Sequence, residues 1–529
     1  MRSTASTARS RWGVLAAWVA LLVVALAVRL PFVLRVGPNE GGGDEWYAMW
    51  RSWSVLFESG RPVSFLHPAL FYDVGAALFA GSYALGKLSG AWHAPVDLLA
   101  DFVRHEARYL QALQVLAAVC GALTVPVVFE LARRLSGWTA GLVAGGILAV
   151  LPVHVGYSQR ARVDTLCVLL TAGAALALHR VVERGERRDF VLAGIVIGLA
   201  TAANYPAAAL VVPYAAAAWL ARAPNRAGSF ALGLGAAALA FALTNPYVVL
   251  APTAAWQEIS LLLSFTARQH PFMEKAADWS YLRLLRDQSD LFAILAAVSG
   301  IWLVLRGPGF RRVLGLFPWL VIGAFVASTT QEDRYVLLVL PWMCVAVGLL
   351  FGDATAWSRS TMPRRALVTI ASLLLLAPTV LELWTRTRPL VFVEPVEQDQ
   401  RAVLQHWLLE HTPPGATIWV EADRVPLLQA TFADPGGRLQ QRMQEAVQRA
   451  YPTFQARVLK GEVVERIANF DPRLITEKQV QLVMGCDRNV QYAESAGDDF
   501  AAPRAFYAAV AEHGTRRIEA MGCAITEIQ

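Results

Sequence analysis

The sequence predicts a polytopic α-helical membrane domain followed by a small soluble α/β domain, and three observations predict it. Of 529 residues, 56% are hydrophobic and only 17% charged, with a mean hydropathy of +0.42, outside the range of ordinary soluble chains. Apolar runs of roughly 17–22 residues, the length that crosses a bilayer, recur from Trp12 to Trp384. Beyond Trp384 the composition turns to regular charge with no spanning run, so the chain divides into residues 1–384 and 385–529. The third observation is where the arginines fall.

With the N-terminus inside, about eleven spans fit: 12–34, 107–131, 138–157, 164–182, 189–204, 206–221, 228–245, 289–306, 312–330, 335–352 and 366–384. The cytoplasmic segments then carry seventeen arginines: 2, 9, 11, 133, 134, 180, 184, 187, 188, 222, 226, 306, 311, 312, 359, 364 and 365. The short external loops carry three, Arg160, Arg162 and Arg334. That asymmetry is the one that orients membrane proteins. An odd number of crossings leaves the tail outside. Residues 68–89 are apolar enough to span, but one crossing there would reverse every later cluster, so they are expected in the interface as a re-entrant or juxtamembrane helix.

Along the chain, Arg2, Arg9 and Arg11 before the first apolar run resemble a signal peptide, but the run continues through Leu34 and an uncleaved anchor is expected. The loop after it puts Asp44 and Glu45 just past three glycines. Trp46, Trp50, Trp53 and Phe57 then form an aromatic stripe at helical spacing, expected to lie in the membrane interface. His67-Pro68 opens the interfacial segment, proline suiting a first helical turn. Arg160, Arg162 and Asp164 close the third span; in a helix Arg160 and Asp164 would pair at i and i+4. Residues 246–288, with Trp256, Arg268, His270 and Tyr281, form an external loop that binds a lipid phosphate, covers a cavity, or only lies in the interface. In the tail a helix is expected over Glu397–Glu410 and strands over Ala416–Val420, Val480–Met484 and Cys523–Ile528.

Cys120, Cys167 and Cys344 fall in apolar spans as core residues. Cys486 and Cys523 form a disulfide if the tail is extracytoplasmic, or remain two thiols. The net charge of +6 is spread over loops rather than gathered in a basic, aromatic-interleaved block, which argues against a nucleic-acid partner.

The order Asp44-Glu45, His67-Pro68-Ala69-Leu70-Phe71-Tyr72, Ala132-Arg133-Arg134-Leu135 with Gly137, and Tyr157-Ser158 with Ala161-Arg162 and Asp164 resembles the polyprenyl-phosphate-sugar-dependent glycosyltransferases of the GT-C fold. Within them it looks like the protein O-mannosyltransferase and lipid A aminoarabinose transferase group, glycosyltransferase family 39. Gly194 with Gly198-Leu199-Ala200, Asn245-Pro246-Tyr247 and Arg334-Tyr335 fit the same pattern. Family members often carry a lysine before the proline, where this chain has His67, and lysine-tyrosine where it has Asn204-Tyr205. Both departures remove positive charge near the expected phosphate.

The resemblance implies a GT-C bundle in the plasma or inner membrane. It would move a sugar, with inversion, from a polyprenyl-phosphate donor to a hydroxyl of a lipid, glycan or protein acceptor. Such a displacement needs a carboxylate to take the hydroxyl proton and a cationic cradle for the departing phosphate. Asp44 is the expected base, Glu45 orients it or the acceptor, and Asp164 completes the acidic side. Arg334 is the first candidate for the phosphate, because a planar guanidinium suits that anion. Arg268, His67 and His270 are further candidates, and Arg160, Arg162, Tyr205 and Tyr335 complete the substrate-binding set. No metal or cofactor is expected. The alternative is a transporter or flippase for an envelope lipid or glycan, which predicts charges near mid-span. Here Arg29 alone lies inside a run, near enough to its end to snorkel.

Overall fold

Long apolar runs without internal polar punctuation can satisfy their backbone only as helices, and helices dominate the computed structural model. It describes residues 2–35, 43–60, 64–267, 280–326, 334–358, 362–392, 400–420, 438–460, 471–486, 490, 501–520 and 522–529. In order the helices are α1 (Arg2–Arg35), α2 (Gly43–Phe57), α3 (Leu70–Leu88), α4 (Pro95–Arg104), α5 (Glu106–Ser136), α6 (Trp138–Ala149), α7 (Pro152–Ser158), α8 (Asp164–Arg184) and α9 (Arg187–Ala203). A 3₁₀ turn at Tyr205–Leu210 leads to α10 (Val211–Leu220), α11 (Arg226–Thr244), α12 (Pro246–Leu250), α13 (Pro252–Ala267), α14 (Ser280–Gln288), α15 (Asp290–Arg306) and α16 (Phe310–Val326). Then come α17 (Arg334–Leu337), α18 (Leu340–Ser358), α19 (Met362–Val391) and α20 (Gln400–His411). The chain forms two compact units: residues 1–35, 64–75 and 111–394, and residues 36–63, 76–110 and 395–529.

In the first unit, six helices among the described residues are long and apolar enough to cross a membrane, or seven if the bent pair α6–α7 counts as one. The chain is therefore a multi-pass membrane protein by length and composition. Helix α3 is not among the six. Helices α5 and α18 are two-thirds buried over their most apolar window, whereas in α11 and α19 only 11% of that window is buried. The exposed faces of α11 and α19 are leucine-rich, including Leu232, Leu239, Leu243, Leu373, Leu374 and Leu381, which is the pattern of helices solvated by lipid chains. Close packing follows small residues: a Cβ on Gly194 or Gly198 would meet the carbonyl oxygens of Gly233 and Ala237 at 1.9 and 2.2 Å. Glycine at these two positions lets α9 and α11 meet backbone to backbone.

The α6–α7 pair bends by 59°, and proline at 152 gives the reason, since it can neither donate nor continue the preceding helix. The groups freed at the break are satisfied by side chains from elsewhere. Arg29 donates to the carbonyls of Ala149 and Leu148 at 3.1 and 3.4 Å and sits 2.8 Å from His154 Nδ1. Thr387 Oγ1 donates to Val150 O at 2.7 Å, and Val153 N donates to Gln288 Oε1 at 2.7 Å. Arg29 does not snorkel: it is fully buried, because the helix break offers it more acceptors than the membrane surface would.

The second unit holds a five-stranded mixed sheet: β1 (Thr417–Val420), β2 (Arg457–Lys460), β3 (Val480–Cys486), β4 (Gly514–Ala520) and β5 (Cys523–Ile528), in the order β2-β1-β3-β5-β4. The first three lie parallel and β5 runs antiparallel to β3. Cys486 and Cys523 face each other across that antiparallel pair and form a disulfide. The expected strands and tail helix are present with small shifts in their ends, and β2 and β4 were not anticipated. The aromatic stripe of α2 is not a membrane-interface belt. Trp53 is fully buried, stacked on Phe79 at 4.4 Å and flanked by Phe102 and Tyr109 at 4.9 and 5.3 Å. Rings at i and i+7 of one helix face fill a protein core when three other aromatic residues are within reach.

Candidate functional site

The site in the first unit is built where the broken helix ends. After α7, a turn closed by Arg162 N donating to Arg160 O reverses the chain, and α8 begins at Asp164. The pairing at i and i+4 expected of Arg160 and Asp164 does not form, because the helix starts at 164 and residue 160 lies before the turn. Arg162 takes that place instead, its Nε 3.3 Å from Asp164 Oδ2. Asn204, at the end of α9, donates from Nδ2 to Asp164 Oδ1 at 3.4 Å. The carboxylate is 5% exposed and also lies at the N-terminus of α8, where backbone N–H groups favour an anion. Arg160 is exposed; both guanidinium groups lie over the Tyr157 ring, at 5.7 Å for Arg160 and 5.4 Å for Arg162.

A cleft opens at this point, lined by Asp164, Asn204, Pro206, Arg334 and Tyr335 over an apolar floor that includes Cys167 and Leu338. Arg334 opens the short helix α17, its guanidinium 5.6 Å from the Tyr335 ring centroid. That ring stacks on Phe325 at 4.9 Å. Of the candidates named from the sequence, Asp164, Arg334 and Tyr335 line one cleft, and Arg162 pairs with Asp164 at its edge. Tyr205 is adjacent through Asn204, and its hydroxyl donates to the Phe65 carbonyl at 3.0 Å, two residues from the half-buried His67. A carboxylate held by an arginine and an amide is set to accept hydrogen bonds from hydroxyls. An arginine lining the same cleft can meet an oxyanion with paired N–H donors.

Glu45, in the second unit, is buried in α2. Asp44 lies in the first turn of the same helix, and its side chain is outside the described residues. Arg268 and His270 are outside them as well. Sequence reasoning missed Asn204, which counted only as a lost lysine; its backbone is extended at the end of α9 and its side chain turns to Asp164. Asn245, quoted only as part of a motif, and Glu258, inside α13, were also missed. Both bond to the segment that carries His67: Ala69 N donates to Asn245 Oδ1 at 2.6 Å, and Phe65 N to Glu258 Oε2 at 2.6 Å.

With this geometry in place, comparisons with known proteins agree on the architecture. Residues 108–251 match the model of the dolichyl-phosphate-mannose-protein mannosyltransferase family. No curated protein matches the sequence. Among solved structures, ArnT from Cupriavidus metallidurans bound to undecaprenyl phosphate superimposes with a TM-score of 0.60 at 12% identity, covering 97% of this chain and 98% of that one. Archaeal oligosaccharyltransferase AglB from Archaeoglobus fulgidus, in complex with an inhibitory peptide and a dolichol-phosphate, gives 0.55 at 12% identity over 98% of this chain and 74% of that one. Arabinofuranosyltransferase AftD from Mycobacteria gives 0.53 at 15% identity, covering 98% of this chain but 40% of that one. At such identities the likeness is one of fold. The chain is thus a GT-C-fold membrane protein whose residues 108–251 match the dolichyl-phosphate-mannose-protein mannosyltransferase family.

Proposed function

We propose that the protein is an integral-membrane glycosyltransferase that moves a sugar from a polyprenyl-phosphate donor to an acceptor hydroxyl on the external face, with inversion. The observation that carries this reading is the cleft in which Asp164, fixed by Arg162 and Asn204, shares walls with Arg334. It belongs to a fold shared with structures solved with undecaprenyl phosphate and dolichol-phosphate. The acceptor oxygen attacks the anomeric carbon while the bond from that carbon to the phosphate oxygen breaks, and the phosphate monoester leaves with the electron pair. The hydroxyl proton goes to a carboxylate. Asp164 already engages two partners, so it suits holding hydroxyls, and the proton falls to Asp44. Glu45 supports Asp44, and Arg334 receives the phosphate charge as it develops. Arg160, Arg162, His67, Arg268, His270, Tyr205 and Tyr335 serve binding.

The finer topology belongs to the same proposal: eleven crossings, residues 1–384 as the catalytic bundle and 385–529 as an extracytoplasmic domain. The Cys486–Cys523 disulfide supports that side, since such bonds persist in oxidising compartments. The acceptor class, lipid, glycan or protein, is what the first experiment identifies. Envelope glycoconjugates of a deletion strain are compared by mass spectrometry with those of the strain carrying the parent, Asp44→Asn or Asp164→Asn. The expected outcome is loss of one sugar from one acceptor, restored by the parent and by neither variant. Restoration by Asp44→Asn at the parental level removes Asp44 from the role of base, and an unchanged glycoconjugate profile in the deletion strain removes the enzyme reading.

A further inference from the structure

The segment Ser64–Ala69 has no regular secondary structure, yet side chains from three other elements hold its backbone. Glu258, on α13, accepts at Oε2 from Ser64 Oγ at 2.5 Å and from Phe65 N at 2.6 Å. Tyr205 donates its hydroxyl to Phe65 O at 3.0 Å. Asn245, buried at the joint of α11 and α12, accepts from Ala69 N at 2.6 Å and donates to Phe241 O and Thr244 Oγ1 at 3.3 and 3.2 Å. The Phe241 ring in turn lies 6.5 Å from that of Tyr205. His67 thus stands between two anchored residues, Phe65 and Ala69. The residue beside Tyr205, Asn204, holds Asp164. One continuous path of hydrogen bonds and covalent links joins the carboxylate of the cleft to the His67 segment.

We infer that Glu258 and Asn245 are positioning residues for sugar transfer, fixing the His67 segment relative to Asp164 together with the Tyr205 hydroxyl. The inference rests on the glycosyltransferase reading and extends it to residues that touch no reacting atom. An irregular segment has no ladder of its own, so its position is set by whatever accepts and donates at its backbone. A displacement of about 1 Å at a group facing substrate can cost on the order of a hundredfold in rate. Glu258 spends its carboxylate on two neutral donors of one short segment, the arrangement of an anchor. Asn245, from the motif Asn245-Pro246-Tyr247, and Tyr205, from Asn204-Tyr205, both hold this segment.

The test uses the full chain in two arms. In lipid nanodiscs, amide hydrogen exchange over residues 64–69 is compared for the parent, Glu258→Ala, Glu258→Gln and Asn245→Ala. In the complemented deletion strain, the sugar that the parent restores to its acceptor is measured for the same variants at matched membrane abundance. Loss of a hydrogen bond to a charged acceptor should speed exchange in this segment about tenfold or more, leave α8 and α18 unchanged, and lower transfer by a similar factor. Glu258→Gln, which keeps an acceptor oxygen, should recover most of both. Faster exchange with parental transfer overturns the inference, and so does unchanged exchange in Glu258→Ala. A parent that restores no sugar instead overturns the enzyme reading, and the exchange arm still decides whether these side chains hold the segment.

Discussion

Arg29→Lys is the most informative single change in the membrane unit, because it keeps a positive charge and removes the planar fork. In the parent, Arg29 reaches three groups on the broken helix pair: Ala149 O at 3.1 Å, Leu148 O at 3.4 Å and His154 Nδ1 at 2.8 Å. It also donates back to Ala25 O on its own helix at 3.0 Å. An ammonium on a single point cannot serve two carbonyls of one helix end and an imidazole of the next together. Retaining one of the three loses two interhelical hydrogen bonds. Such bonds average about 0.6 kcal/mol within membranes and reach about 1.7, so the variant should lose about 1–3 kcal/mol. Thermal unfolding in a fixed detergent, with hydrogen exchange over residues 148–158, measures it. The exchange should rise locally, since the break is what those bonds stabilise, and the turn bearing Arg162 should loosen with it. A variant as stable as the parent, with unchanged exchange at 148–158, would mean that other groups satisfy the carbonyls and that Arg29 does not hold the bend.

Three further outcomes are expected. Reducing the Cys486–Cys523 disulfide, whose partners are 37 residues apart, should destabilise the sheet by about 4 kcal/mol at most on the chain-entropy account, read as faster exchange in β1 and β3 after dithiothreitol. Gly198→Val drives a side chain against the Ala237 carbonyl, a backbone atom that cannot yield, and should cost about 1–3 kcal/mol; Gly146→Ala, where nothing lies within 4 Å, should cost nothing, both read by thermal unfolding. Asp97 caps α4 by accepting from Ala94 N and His93 N at 2.8 and 2.7 Å and pairs with Arg449 at 2.6 Å. The Ala94 amide, then the His93 amide and the Arg449 charge, hold its carboxyl below the usual carboxylate range. The folded value is below the unfolded one, so its stabilisation is present above about pH 4 and is lost as pH falls through the folded value. Asp97→Asn should therefore cost about 1 kcal/mol at pH 7, and the difference should vanish in acid unfolding titrations.

How much of the site was legible depended on what each residue interacts with. Asp164, Arg162 and Arg334 could be named because charges at the ends of apolar runs stand out locally, and Tyr335 because it follows Arg334 in a family-like motif. The long apolar helices also follow from hydropathy, since a bilayer leaves a spanning backbone few ways to satisfy its polar groups; six of them, or seven with the bent pair α6–α7, are long and apolar enough to cross among the described residues. Which arginine meets Asp164 was not legible, because it turns on where α8 starts, and the turn at 160–162 decides that. The Trp46–Phe57 stripe has one period in the sequence whether it faces lipid or protein. Only the arrival of Phe79, Phe102 and Tyr109 from elsewhere in the second unit made it a core.

The amino-acid order by itself determined the multi-pass membrane class, three strands near the C-terminus and the charged residues at the ends of apolar runs, because those properties are local in composition and spacing. Tertiary structure alone decided that Arg29 is buried, that Asn204 holds Asp164, and that Asn245, Tyr205 and Glu258 hold one short segment. Each of those contacts joins positions tens to nearly two hundred residues apart. A hydrogen bond between distant side chains leaves no periodicity in the chain, so it exists only once packing has brought donor and acceptor within about 3 Å.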